Sequence, residues 1–79
     1  MNQLHVRLRI ARELVAVRQD DIVSELRQRF GLKLSQADLS HIECGLRVLS
    51  PALARQIREV LLAIVESRAK AVRELLSAP

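Results

Sequence analysis

The sequence predicts an all-α fold, a compact bundle of four to five helices, and three observations carry that expectation. Its 79 residues include two Gly, two Pro and one aromatic side chain, Phe30. So few turn residues leave little room for hairpins, and so few aromatics leave an aliphatic core. Apolar residues recur at intervals of three and four along most of the chain, which keeps them on one side of a helix. Ser35 and Ser50 stand just before such runs and Gly45 just after one. A serine hydroxyl caps a helix start, and a glycine takes the left-handed conformation that ends one.

The first helix is expected over residues 3–17, where Leu4, Leu8, Ala11, Leu14 and Val15 make one inward stripe and Arg7, Arg9 and Arg12 lie off it. Arg7 and Arg9 are either solvated surface arginines, the commoner outcome, or contacts to a phosphate. The second is expected over residues 19–30. Asp20 and Asp21 suit the positive end of its dipole, and Ile22, Leu26 and Phe30, with Val23 beside them, form the inward face. The third, over residues 36–44, begins after Ser35 and stops at Gly45. Leu39 and Ile42 share its inward side, so Gln36, Ala37, Ser40 and His41 face out. After a loop, Ser50 and Pro51 open a run to about Ser77 without Gly or Pro, and nothing there decides between one helix and two.

Residues 1–79 read as a single domain. A chain this short buries only about 60% of its unfolded surface, so a lone copy is marginal and dimerisation is a natural remedy. Thirteen Lys and Arg against nine Asp and Glu give a net charge of +4. That suits a polyanionic partner, although solvated helix surfaces carry similar charge. One cysteine excludes an internal disulfide framework and fits a reducing cytosol. Arginines 7, 9 and 12 interrupt any apolar signal core, and no stretch of 18 apolar residues occurs. A soluble, cytoplasmic protein without a membrane partner is the expectation.

The outer face of the third helix is small, polar and uncharged. Such a face reads base edges well: Gln pairs bidentately with adenine, Ser adapts, His donates or accepts, and Ala meets a thymine methyl. Gln36, Ala37, Ser40 and His41 are therefore the candidate base contacts.

The pattern Leu34-Ser35, then Leu39-Ser40, Ile42-Glu43, Gly45 and Arg47, resembles the recognition helix of the Xre/Cro/lambda-repressor helix-turn-helix family. Gln19-Asp20-Asp21-Ile22-Val23 resembles the start of that family's second helix, Arg12 its first-helix arginine, and Ser50-Pro51 the opening of its fourth helix. The likeness covers about residues 4–62. It implies a lambda-repressor-like domain, with about residues 4–50 as a DNA-binding core. It also implies that Arg12 pairs with Glu43 and fastens the first helix to the end of the third. Removing one partner of such a pair would cost about 3 kcal/mol or more. By the same likeness Gln19 reaches a phosphate and braces the base-reading side chain; without it, Gln19 is an exposed polar residue near a cap. Arg47 matches a position beside the sugar–phosphate backbone.

One departure from the family pattern stands out. Between Ile22 and Ser35 the chain is longer than usual by about six residues. Gly31 resembles the family's turn glycine, so about four of the six fall in the second helix, close to one turn, and the inward stripe keeps its side. The insertion brings Arg27, Arg29 and Lys33. With Gln19 and Arg47 these are the candidate phosphate contacts, which raise salt dependence without adding base specificity. The extra length leaves the docking angle open.

Leu61, Leu62, Ile64, Val65, Val72, Leu75 and Leu76 exceed what one small core needs, which points to a second subunit. The alternative is that the C-terminal stretch folds back on the first helix. Other chemistry has weak support. His41, Cys44 and His5 lack the paired spacing of a zinc site. Cys44 has no resolving partner, so it reads as a bystander thiol. No cofactor, metal or catalytic group is indicated, and an enzyme is not expected.

The expected function is sequence-specific double-stranded DNA binding by a homodimeric autorepressor on a palindromic operator. Small members of the family of this kind serve as phage repressors, operon controllers, some of them anti-CRISPR-associated, or antitoxins. The alternative is an antitoxin-like or anti-repressor module whose main partner is another protein, such as a toxin.

Overall fold

The computed structural model describes residues 3–77 and Pro79. They form four helices: α1 (Leu4–Leu14), α2 (Gln19–Phe30), α3 (Gln36–Glu43) and α4 (Pro51–Ser77). No strand occurs among the described residues. The run after Pro51 is one continuous helix of 27 residues, so the bundle has four helices and not five. α3 and α4 each pack on both α1 and α2.

α1 ends three residues sooner than expected. Val17 N–H donates to the Arg12 carbonyl at 3.1 Å and Ala16 N–H to that of Glu13 at 3.1 Å. This paired closure normally uses glycine at the reversing position, but here Ala16 takes it, with φ of +54°. No glycine marks the place in the sequence. Because the chain reverses there, Val17 turns into the core, while Leu14 is left 80% exposed and Val15 is also exposed. The stripe expected over α1 therefore stops at Ala11, which packs with Leu8 against the core.

α2 has the expected bounds. The Asp21 carboxylate accepts the Arg18 backbone N–H at 3.0 Å, which holds the first turn. Gly31, at φ +66°, closes the other end. Ile22 and Leu26 are fully buried, but Phe30, expected inward, lies at the rim and is exposed. At the helix that follows, Ser35 Oγ accepts from Asp38 N–H at 3.0 Å and Asp38 Oδ2 accepts from Ser35 N–H at 2.9 Å. This reciprocal cap satisfies two orphan donors at once. Gly45, at φ +79°, ends the segment, and Leu46 N–H reaches back to the His41 carbonyl at 2.8 Å. Ser50 caps α4 through Leu53 N–H at 3.1 Å.

The core joins Val17, Ile22, Leu26, Leu34 and Leu39 to Ile57, Val60 and Leu61 of α4. Leu61 is only 6% exposed and Ile64 packs against the same cluster, so these two residues serve the core of one chain. The expectation that Leu61 and Ile64 belong to a subunit interface is corrected accordingly. Their place in α4 puts them on the side that α1 and α2 already cover. No helix among the described residues is long and apolar enough to cross a membrane.

Candidate functional site

The site is built around Glu43, the last residue of α3. It is 6% exposed, the one buried charged side chain among the described residues. A carboxylate can only accept hydrogen bonds, and three donors meet it. Arg12 Nε donates to Oε2 at 2.8 Å and Nη2 to Oε1 at 2.9 Å, a two-point fork. Gln19 Nε2 donates to Oε1 at 2.8 Å. The third arm of the guanidinium, Nη1, donates to the Val17 carbonyl at 2.9 Å, just after the α1 reversal. The hydrogen bond to Glu43 raises the Arg12 pKa further above its already high value, against the opposing effect of burial, so the cation persists. No buried side-chain N or O among the described residues lacks a partner. One carboxylate thus ties α1, α2 and α3 together.

The same carboxylate orients the surface. Because Glu43 needs a donor, the Gln19 amide must turn its nitrogen inward, which leaves its oxygen facing out. Gln36 Nε2 donates to that Gln19 Oε1 at 3.3 Å. Glu43, Gln19 and Gln36 therefore form a polarised relay from the interior to the first turn of α3. One N–H and the Oε1 of Gln36 remain unclaimed by this relay. A free donor beside a free acceptor on a planar amide is the complement of the adenine Hoogsteen edge. Ala37 and His41 are exposed on the same short helix and Ser40 is half-buried.

The five candidate phosphate contacts fare differently. Arg27 and Lys33 are exposed and carry no ion pair among the described residues. Gln19 keeps one N–H beyond its bond to Glu43. Arg29 pairs with Glu25 one turn earlier, Nε to Oε2 at 2.8 Å, and faces a groove between α2 and α4 lined by Ser24, Ala63 and Ser67. Its charge is thus partly met within α2, and its side chain lines the α2–α4 side of the helix. Arg47 Nη1 lies 2.9 Å from Asp38 Oδ1. Its charge is thereby held over the first turn of α3.

Asp38 was not singled out as a site residue, yet it does two things. It closes the cap on α3 and anchors Arg47. The hydrogen bonds from Ser35, with a smaller contribution from Arg47, hold its carboxyl below the usual carboxylate range. A signal was present: serine followed three residues later by an acid is the spacing of a reciprocal cap. For Arg68 no signal existed. Its Nη1 donates to the Ala16 carbonyl at 3.2 Å and Nη2 to Asp21 at 3.4 Å, clamping α4 to the turn between α1 and α2.

Past α3, the loop leaves Leu46 79% and Val48 86% exposed. Cys44 is free and exposed. Among the described residues no three His, Cys, Asp or Glu side chains are grouped so as to hold a metal ion. No protein-family model, curated protein or solved structure was found to match the chain.

Proposed function

We propose that this chain is a helix-turn-helix regulator of the Xre/Cro/lambda-repressor type that binds a specific double-stranded DNA operator as a homodimer. The observation that supports it best is the relay from Glu43 through Gln19 to Gln36. It is the arrangement expected if α2 braces the backbone while α3 lies in the major groove. In that pose Gln36 presents its free N–H and Oε1 to a base, with Ala37, Ser40 and His41 on the neighbouring positions. Arg47, Arg27, Lys33 and the remaining N–H of Gln19 supply backbone contacts. A net charge of +4 suits a polyanionic operator, and we take simple autorepression on an inverted-repeat operator, in the cytoplasm, as the mode of regulation. Leu62, Val65, Val72, Leu75 and Leu76 of α4 are the surface left for a second copy.

The test is fluorescence anisotropy with DNA from upstream of the protein's own gene, beside a scrambled duplex, at two salt concentrations. Specific recognition is expected to favour the native duplex by at least about a thousandfold. Gln36→Ala is expected to cost about 1–3 kcal/mol on the native duplex and little on the scrambled one. Equal loss on both would remove Gln36 as a specificity residue, and equal, steeply salt-dependent binding would leave only a basic surface.

A second reading is favoured by Leu46 and Val48. Two exposed apolar side chains beside α3 are what a protein partner would bury, as in an antitoxin-like or anti-repressor module. No binding to either duplex, with capture by a toxin encoded next to the gene, would move the assignment there.

A further inference from the structure

α4 outruns the body that holds it. Its 27 residues span about 40 Å at the α-helical rise. Beyond Arg68, no hydrogen bond or ion pair among the described residues joins α4 to another element. Along the second half of α4, Leu62, Val65, Ala69, Val72 and Leu76 recur at intervals of three, four, three and four. That average of 3.5 is the spacing of a seam that two supercoiled helices bury together. Leu62, Val72 and Leu76 are each more than half exposed and Val65 and Ala69 are half-buried, so the chain by itself covers the seam only in part.

The charges beside the seam distinguish two ways of covering it. Glu66 and Arg73 stand one heptad apart on one edge, with Arg73 Nη2 3.6 Å from Glu66 Oε1. The opposite edge carries Arg68 and Leu75. In a parallel pair, unlike edges meet, and Arg68 faces Arg73 of the other copy twice. In an antiparallel pair, like edges meet, and Glu66 faces Arg73 of the other copy twice.

We infer that the occupant of this seam is α4 of a second copy of the chain, running antiparallel, with the two-fold axis between Lys70 and Ala71. Ala69 then packs on Val72 of the second copy and Val65 on its Leu76, in the same register that brings Glu66 opposite Arg73. The arrangement also brings Leu75 of the second copy beside Arg68. Arg68 is bonded to the turn after α1, where Leu14 and Val15 stand exposed. The inference deepens the dimeric part of the proposed reading and rests on it.

Sedimentation equilibrium of the full chain at low salt, without DNA, tests it. Glu66 and Arg73 are exposed, so charge reversal leaves the fold intact, which circular dichroism checks. Arg73→Glu and Glu66→Arg alone are each expected to weaken dimerisation about tenfold, from two symmetric repulsions. The double reversal is expected to return it close to the parent. In a parallel pair Arg73→Glu would strengthen the dimer by facing Arg68, and that result overturns the inference. A monomer at all concentrations, or indifference to both reversals, overturns it too. Loss of dimerisation alone leaves the DNA reading to the Gln36 experiment, and a dimer without DNA specificity leaves this inference standing.

Discussion

The end of α3 and the end of α4 make an instructive pair. At the first, the carboxylate of Glu43 is buried, and Arg12 donates to both of its oxygens while Gln19 donates to one. At the second, Leu75 and Leu76 stand in water with no partner from their own chain. A buried charge without partners costs several kcal/mol, so the first arrangement exists only because it is complete within the chain. Exposed leucines cost far less to leave bare, so the second can await completion from outside. The comparison separates what this molecule must finish on folding from what it can leave for association.

Breaking the buried pair should give the largest effect. Glu43→Ala leaves the Arg12 guanidinium unpaired and is expected to lower the free energy of unfolding by about 3–5 kcal/mol in urea denaturation. Arg12→Met together with Glu43→Leu should recover much of that loss, because no orphaned charge remains. Equal destabilisation by the single and the double change would show that packing, not charge, holds this junction.

The two ends of α4 sharpen the contrast on a smaller scale. Leu61→Ala removes a buried side chain and is expected to cost about 2–4 kcal/mol at any protein concentration. Leu76→Ala is expected to cost under about 0.5 kcal/mol in dilute protein. Its effect should grow as concentration rises and the dimer forms. A concentration-independent cost at Leu76 would mean that it packs within its own chain.

The smallest effect belongs to the cap of α3. Asp38 has its pKa depressed by the bonds from Ser35, so its contribution is present above the ordinary aspartate value of 3.8 and is lost as pH falls through the depressed one. The parent should be more stable than Asp38→Asn at neutral pH, and the difference should close in acid, while titration of other groups cancels between the two. A difference that persisted to about pH 2 would assign the cap's worth to geometry alone.

How much of this could be read in advance differs from residue to residue. The α2 bounds, the Ser35 and Ser50 caps and the Gly45 stop were legible, because a hydroxyl or a missing Cβ acts within a few residues of its own position. The pairing of Arg12 with Glu43 was legible only through a resemblance, since 31 residues separate them and no local rule links them. The early end of α1 was not legible at all. An alanine does not advertise a left-handed residue, and Leu14 looks like core until the chain turns it out. Leu61 was misplaced because spacing tells which residues share a side of a helix, not which neighbour covers that side.

By itself, then, the sequence determined the helical class, the places where α2, α3 and α4 start, and the small polar outer face of α3. These depend on propensity, capping and periodicity, which are short-range. Tertiary structure alone decided which side of α4 meets the core, that Glu43 turns the Gln19 amide so that its oxygen accepts from Gln36, and which leucines remain uncovered. Each of those outcomes depends on which distant side chain supplies a donor or an apolar surface, and only the folded arrangement brings those partners within reach.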